Sequence, residues 1–395
     1  MNNNLKFNTL YSAPVLNSSG YGVASDLIWY GLSTYPKINL LTAPLIWGGN
    51  APKYHRGKWD QAIRDNFPKT NQIPPPHLFI SHTLPHMSKP SGSIHNISIN
   101  AGVEVVEVPT QIAEAFDRFD TCLVCSNHTK QGYLNSKFKM TKEIQVLPWS
   151  TDTDIYRPDA PEDASINETM AKIKETEAFL FVGQAGGGGP DRKDLEGLVT
   201  TFCNTFKGKA KQPALILKIH GINYSKHDRN ACIEIVEAIK ATVPDNDTPV
   251  YVFHGELTES QMAALYTHPK IIGNASFTHG EGFGLPLLEA SCTGKPILVS
   301  NWSGHLDFLD KDHTILLPGE VKPVESRHIT EYVPPNSQWF FVDYAQASKI
   351  MLDFYNSDRT EANQKALELA EINRHKYSLD MFKKRLHGIL DKALL

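Results

Sequence analysis

The chain lacks the features that would place it by composition alone. Cysteine is scarce: five are scattered through 395 residues. An odd, dispersed set argues against a disulfide framework and for a reducing compartment. Long apolar runs are missing too; none approaches the roughly 18 to 20 residues that span a bilayer. The start, Met1-Asn2-Asn3-Asn4-Leu5-Lys6, has neither the basic opening nor the apolar core of a signal peptide. A cytoplasmic location is therefore expected. Net charge is only −4 with 21% charged residues, so there is no global basic footprint for a polyanion. No repeat of the solenoid kind is visible. Cys122 and Cys125 form a C-x-x-C, but inside an apolar, strand-like run. Residues three apart on a strand point to opposite faces, so a shared metal is not expected there.

What is present is the balance of an ordinary globular protein, 41% hydrophobic over a length that suggests two domains. Short apolar runs at 78–80, 95–99, 122–125 and 144–147 read as buried strands. A helical pattern over 22–32 is entered through a Ser-Ser-Gly-Tyr turn, and Ser126 is placed to cap a helix over 127–134. Residues 49–76 read mostly as an extended excursion. A second unit starts near 177, with strands at 178–182, 214–219, 250–253, 271–272 and 296–299 and a helix over about 195–206. The chain ends in helices at about 344–355, 361–374 and 378–394. Strands alternating with helices imply parallel sheets covered on both faces, with ligands at the C-terminal edges of the strands.

One run carries chemistry: Thr278-His279-Gly280-Glu281-Gly282-Phe283-Gly284-Leu285-Pro286-Leu287-Leu288-Glu289. Two carboxylates stand eight residues apart around a glycine-rich turn. Pro286 suits a first helical position, so the turn reads as loop, then helix N-terminus, with Glu289 on the first turn. Free N–H groups and the positive end of the helix dipole favour a phosphate, and Gly280, Gly282 and Gly284 let backbone come close to it. Acceptors on both sides of an anion cradle suit a nucleotide-sugar.

At these residues the chain resembles the retaining glycosyltransferases of family 4, whose motif is a Glu, seven residues and a second Glu within E-G-[FW]-G-L-P-x-L-E-A. Residues 281–290 fit that context. The resemblance covers most of the chain from about residue 100 and is strongest at 178–310. It also takes in Val146-Leu147-Pro148, Asp152-Thr153-Asp154 and Tyr156-Arg157-Pro158 as the interdomain segment, without its usual Gly. It implies the GT-B fold, an α/β architecture of two Rossmann-like parallel-sheet domains facing across a cleft. The expected domains are 1–155, with the last helix at 378–395 crossing back, and 156–377. The implied activity is transfer of a hexosyl or pentosyl group from a nucleoside diphosphate, as in a UDP-sugar, to an acceptor hydroxyl, with the anomeric configuration retained. No divalent metal or other cofactor is implied; Asp152-Thr153-Asp154 is a D-x-D by letters only.

The resemblance also distributes roles. Glu281 would hold sugar hydroxyls and Glu289 the ribose. Arg192 and Lys193, beside a glycine run, would meet the diphosphate together with the backbone of Gly282, Phe283, Gly284 and Leu285. The family commonly has an Arg directly after the Val-Gly of the preceding strand; this chain has Gln184, which leaves Arg192 and Lys193 alone or aided by Lys218. In the first domain, Gly22 belongs to a glycine turn that would approach the donor, and His82, ending a strand, would contact the reacting sugar. His86, His95 and His279 are rivals to it, and Glu104 is a second first-domain candidate. Ser303-Gly304-His305 would line the nucleotide end.

The acceptor is left open. Phe277–Gly284, Asn301–His305 and Trp339–Tyr344 look most like glycosyltransferases of tailed phages, which would place the protein in host cytoplasm. A hydroxymethylated base in phage DNA and a glycan or lipid-linked acceptor both fit; a small molecule is a third option. Residues 1–150 hold 13 Lys+Arg and 9 Asp+Glu, a balance of +4, leaving 26 and 34, or −8, for the rest. Two basic–aromatic runs, 53–59 and 137–142, lie in that first part and have the ingredients of single-strand or flipped-base binding. A non-catalytic nucleotide-sugar or DNA-binding module is the reading from another class, and the intact carboxylate pair with its cations argues against it.

Overall fold

The computed structural model describes residues 6–47, 57–70, 73, 75–185, 191–330 and 333–394. Residues 53–56 of the first basic–aromatic run and 186–190 of the glycine run lie outside them. The chain divides into two units, Met1–Asp152 with Lys376–Leu395, and Thr153–His375.

In the first unit six strands form one parallel sheet in the order β2-β1-β3-β4-β5-β6. They are β1 (Phe7–Ala13), β2 (Ile38–Pro44), β3 (Leu78–His82), β4 (His95–Asn100), β5 (Thr121–Val124) and β6 (Ile144–Val146). All residues of β3 are buried, as expected for a central strand covered on both faces. The helix Gly20–Ser33 begins where Ser19 accepts the Gly22 N–H, and it buries Ala24, Leu27, Ile28 and Leu32. Within the 49–76 excursion, part of which lies outside the described residues, Asp60–Asp65 forms a short helix that buries Ile63. Cys122 and Cys125 do diverge: their thiols donate to different carbonyls, those of Phe116 (3.1 Å) and Ala101 (3.4 Å).

The chain returns to this unit at its end. Ser378 caps the helix Leu379–Ala393, whose Phe382, Leu386 and Leu390 form one buried stripe at a four-residue spacing. That stripe meets Gly31. A Cβ there would lie 2.7 Å from a Leu386 methyl and 3.0 Å from the Phe382 ring, so a larger residue would push these side chains back. The His387 ring donates to the Gly31 carbonyl (2.9 Å), and the Tyr35 hydroxyl donates to Asp391 (2.8 Å).

The second unit has its own six-stranded parallel sheet, ordered β12-β11-β10-β7-β8-β9. Its strands are β7 (Ala178–Gln184), β8 (Ala214–His220), β9 (Val250–Phe253), β10 (Ile271–Ser276), β11 (Ile297–Ser300) and β12 (Ile315–Leu317). Phe179, Phe202, Phe206 and Phe354 cluster on one face with ring centroids 4.9–6.3 Å apart. An antiparallel pair, β13 (Gly319–Pro323) and β14 (Gln338–Val342), follows. The helix Thr360–Lys376 is tied down by Asn373, which donates to Ser291 and to the Phe308 carbonyl. Among the described residues no helix is long and apolar enough to cross a membrane.

If the terminal helix is part of the first unit's core, Phe382→Ala should destabilise the protein by about 3–5 kcal/mol, the usual cost of emptying a buried aromatic site. Urea unfolding followed by far-UV circular dichroism measures it. A loss under about 1 kcal/mol would mean that the helix docks without contributing to the core.

Candidate functional site

The loop after β10 is built to hold one carboxylate. Glu281 is 5% exposed. Lys193 Nζ lies 2.5 Å from its Oε1, and Arg192 Nη1 lies 3.3 Å from its Oε2. Arg192 also donates to the Gly280 carbonyl. Burial pushes the Glu281 carboxyl up, but attraction to Lys193 and then Arg192 outweighs it and holds the group at about 2. The carboxylate is ionised at any working pH.

Neighbouring backbone fixes this arrangement. The Glu281 N–H donates to Ser303 Oγ (2.8 Å), and Gly304 N–H donates to the Glu281 carbonyl (2.9 Å). A Cβ on Gly304 would stand 2.1 Å from the Gly282 carbonyl oxygen, so the two turns touch only because glycine is there. On the other side, His279 N–H donates to the Arg192 carbonyl (2.8 Å). The His279 ring donates to the Phe340 carbonyl (2.7 Å) and stacks on Trp339 at 5.3 Å. Burial holds His279 near 4, so it is a neutral structural residue at pH 7. His95, bonded to Thr121 at 2.8 Å, is likewise engaged.

Asp194 stands immediately after the cation pair in a left-handed conformation, φ 52°, and caps the helix Leu195–Phe206. The Tyr344 hydroxyl donates to it at 2.9 Å, and burial pushes its carboxyl up to about 7. Sequence reasoning passed over Asp194, although a charged residue directly before a helix is a capping signal.

The helix after the glycine turn is Leu285–Ser291. Gly284, at φ 96°, is its N-cap, and Pro286 is its second residue rather than its first. Glu289 consequently lies on the second turn, not the first as the sequence suggested. Phe283 and Leu285 are buried, with the Phe283 ring 5.1 Å from Phe308. Glu289 is half-buried, and the Tyr266 hydroxyl lies 3.5 Å from its Oε2. Burial, with the nearby Glu259, pushes its carboxyl up to about 8. The two carboxylates of the motif therefore differ in charge at pH 7. Tyr266, which also bonds the Pro286 carbonyl at 3.1 Å, was not anticipated.

Lys218, the one further cation considered, is engaged elsewhere, and so is Gln184, which stands where the family has its Arg. Gln184 donates to the Gly221 carbonyl (2.6 Å). Lys218 is buried, donates to the Gly255 carbonyl (2.8 Å) and stands over the Tyr224 ring. Burial brings its ammonium down to about 8.

In the first unit, His82 is fully buried at the end of β3. Its Nδ1 is 2.9 Å from Ser25 Oγ, and the Ser25 hydroxyl donates to the Tyr21 carbonyl (2.7 Å). That hydroxyl has one proton, so Nδ1 must be the donor and Nε2 a bare acceptor. Nε2 has no partner among the described residues. Burial holds the ring near 3, so it stays neutral. Tyr21 stacks on it at 5.1 Å, and Trp149 meets it edge-on at 6.0 Å. Gly22 serves packing, since a Cβ there would fall 1.9 Å from the Asn17 carbonyl oxygen. Glu104 is half-buried and helps raise the Tyr21 hydroxyl.

Comparison with known proteins follows this geometry. A family described as "Glycosyl transferases group 1" matches residues 246–325. No curated protein matches the chain. Among solved structures, Anabaena HepE in complex with UDP-glucose aligns with TM-score 0.66 at 10% identity, over 98% of this chain and 100% of that one. A glycosyltransferase from Rickettsia africae aligns with TM-score 0.65 at 12% identity, over 98% and 99%. The sucrose-phosphate synthase of Thermosynechococcus elongatus aligns with TM-score 0.64 at 13% identity, over 98% of each chain. The chain has the GT-B fold.

The raised carboxyl of Glu289 has a consequence for stability. Its ordinary value is 4.5 and its folded value about 8. The unfolded chain gives up this proton first, so the group's contribution is complete below about pH 4.5 and is lost as pH rises through about 8. Glu289→Gln should remove that loss. The melting temperature of the variant should gain on that of wild type between those limits, and parallel melting curves across the range would contradict the assignment.

Proposed function

We propose that the protein is a retaining glycosyltransferase that moves a sugar from a nucleoside diphosphate to an acceptor hydroxyl. The observation that carries this reading is the convergence of Arg192 and Lys193 on the buried Glu281 carboxylate. Two cations meeting one fixed anion, beside a glycine turn that starts a helix, suit a ligand that joins a diphosphate to a hydroxyl-rich sugar. The group 1 match over 246–325 and the GT-B fold support the class of activity.

In this reading Arg192 and Lys193, with the N–H groups of Gly282 to Leu285, face the diphosphate. Negative charge grows there as the bond from the anomeric carbon to the phosphate oxygen breaks, so these groups stabilise the transition state more than the ground state. Glu281 accepts from sugar hydroxyls. Glu289 accepts from the ribose, and His82 offers a neutral acceptor, Nε2, to a sugar hydroxyl. No metal or cofactor has a place in this scheme, and the nucleotide-sugar is a co-substrate.

For the acceptor we favour a hydroxyl carried on a polyanion such as hydroxymethylated DNA, over a glycan or lipid-linked acceptor. Lys137, Lys139 and Lys142 are exposed on one short segment. The described part of the other basic run is already engaged: Lys58 pairs with Asp152, and Trp59 stacks on Tyr30 at 4.8 Å.

Lys193→Ala should lower sugar transfer from the best nucleotide-sugar by two orders of magnitude or so, the scale of losing one transition-state donor, and should lower the melting temperature as well, because the buried Glu281 loses the nearer of its two cations. Turnover within a few-fold of wild type would reduce Lys193 to a structural partner of Glu281. Binding should also release a proton at pH 7, because ribose hydroxyls bind the ionised Glu289 best. Calorimetry in buffers of different ionisation heat detects that release, and Glu289→Gln should abolish it.

The acceptor reading has its own check. DNA affinity should fall with salt at a log–log slope of about 0.9 per phosphate contact on duplex. Replacing Lys137, Lys139 and Lys142 by Ala should flatten the slope without changing donor hydrolysis. DNA binding that is undetectable at low salt would overturn the DNA reading and leave a glycan as the leading acceptor.

A further inference from the structure

We infer that Glu281 is the residue by which the site favours the intact donor over the spent nucleoside diphosphate. This rests on the donor reading above, but goes beyond it. The phosphate cations are not free. Glu281 takes Lys193 on one oxygen and Arg192 on the other. Its backbone is pinned on both sides, by Ser303 at its N–H and by Gly304 at its carbonyl. His305 cannot neutralise it: its Nε2 donates to the Ser300 carbonyl (2.8 Å), and burial keeps the ring uncharged. An arriving diphosphate thus meets a cluster of two cations and one fixed anion, a net charge of +1.

That remaining anion acts differently on substrate and product. The diphosphate of a nucleotide-sugar carries about two negative charges, and a free nucleoside diphosphate about three, since a terminal phosphate loses its second proton near pH 6. The donor therefore leaves the cluster at about −1 (+1 − 2) and the product at about −2 (+1 − 3). In a buried site, where charges are poorly screened, that extra charge is costly. The donor brings a second advantage, because its sugar hydroxyls donate to Glu281 and disperse the carboxylate's charge. When the sugar is transferred, the bond to the phosphate oxygen breaks, the phosphate gains a charge, and Glu281 loses those hydroxyls. The same step that makes the product makes it unwelcome.

Glu281 repels the product's roughly three charges more than the donor's roughly two, so without it the product would gain affinity relative to the donor. The wild-type protein should bind a nucleoside diphosphate no more tightly than the corresponding nucleotide-sugar. Calorimetry with UDP, GDP, ADP and dTDP identifies the preferred nucleotide; the same measurement with its glucose conjugate gives the ratio. Glu281→Gln keeps the shape and an acceptor for Lys193 while removing the charge. It should bind the diphosphate at least about tenfold more tightly and shift the product-to-donor affinity ratio by a similar factor. Product inhibition of any residual transfer should deepen in parallel. If Glu281→Gln binds the diphosphate equally or less tightly, Glu281 only positions the cations and the inference fails. If the variant does not fold, the wild-type ratio decides alone, and a diphosphate that binds tenfold more tightly than its sugar conjugate overturns the inference. Absence of any nucleotide binding to wild type would remove the donor reading itself.

Discussion

The ion cluster of Glu281 with Lys193 and Arg192 constrains the second unit's site more than any other interaction there. A carboxylate with 5% exposure is untenable alone, and its two cations offset the cost of taking it out of water. Holding all three in place needs backbone that ordinary residues do not adopt. Gly284 and Ser303 both have positive φ, Asp194 is left-handed, and Gly304 sits where a side chain would strike Gly282. Arg192 and Lys193 and the loops after β10 and β11 are thereby fixed to one another. The strain is local and sits at the strand ends of the sheet, where α/β proteins bind ligands.

The first unit uses the opposite electrostatic strategy. Its candidate group, His82, is kept neutral by burial, and one proton on Ser25 decides which ring nitrogen is bare. The surroundings are aromatic rather than charged: Tyr21, packed 4.5 Å from Trp47, and Trp149. A neutral acceptor among ring faces suits hydroxyls, whereas the charged cluster of the second unit suits a diphosphate.

Much of this was legible in the sequence because the signals were local. The run from Thr278 to Glu289 announces its loop through glycine spacing and its helix through Pro286. Arg192 and Lys193 stood out as cations after a strand, and nine of the twelve strands of the two parallel sheets read directly from their composition, β1, β2 and β12 being the exceptions. What was not legible depends on tertiary contact. The Asn301–His305 stretch was noticed for its letters, but only the fold shows that Ser303 and Gly304 hold Glu281. Asp194 and Tyr266 were missed because each acts through a partner far away in sequence, Tyr344 and Glu289. Strands β13 and β14 escaped because the residues of β13 are all exposed and carry no apolar pattern. Gly284 shifted the start of its helix by one residue, a difference that local propensity does not resolve.

The central claim is that the Glu281 cluster receives a diphosphate, and a crystal structure with the preferred nucleoside diphosphate bound tests it most directly. The account predicts phosphate oxygens within hydrogen-bond distance of both Arg192 and Lys193, with the Lys193–Glu281 contact lengthened from 2.5 Å. A nucleotide seated elsewhere, with that ion pair unchanged, would contradict it.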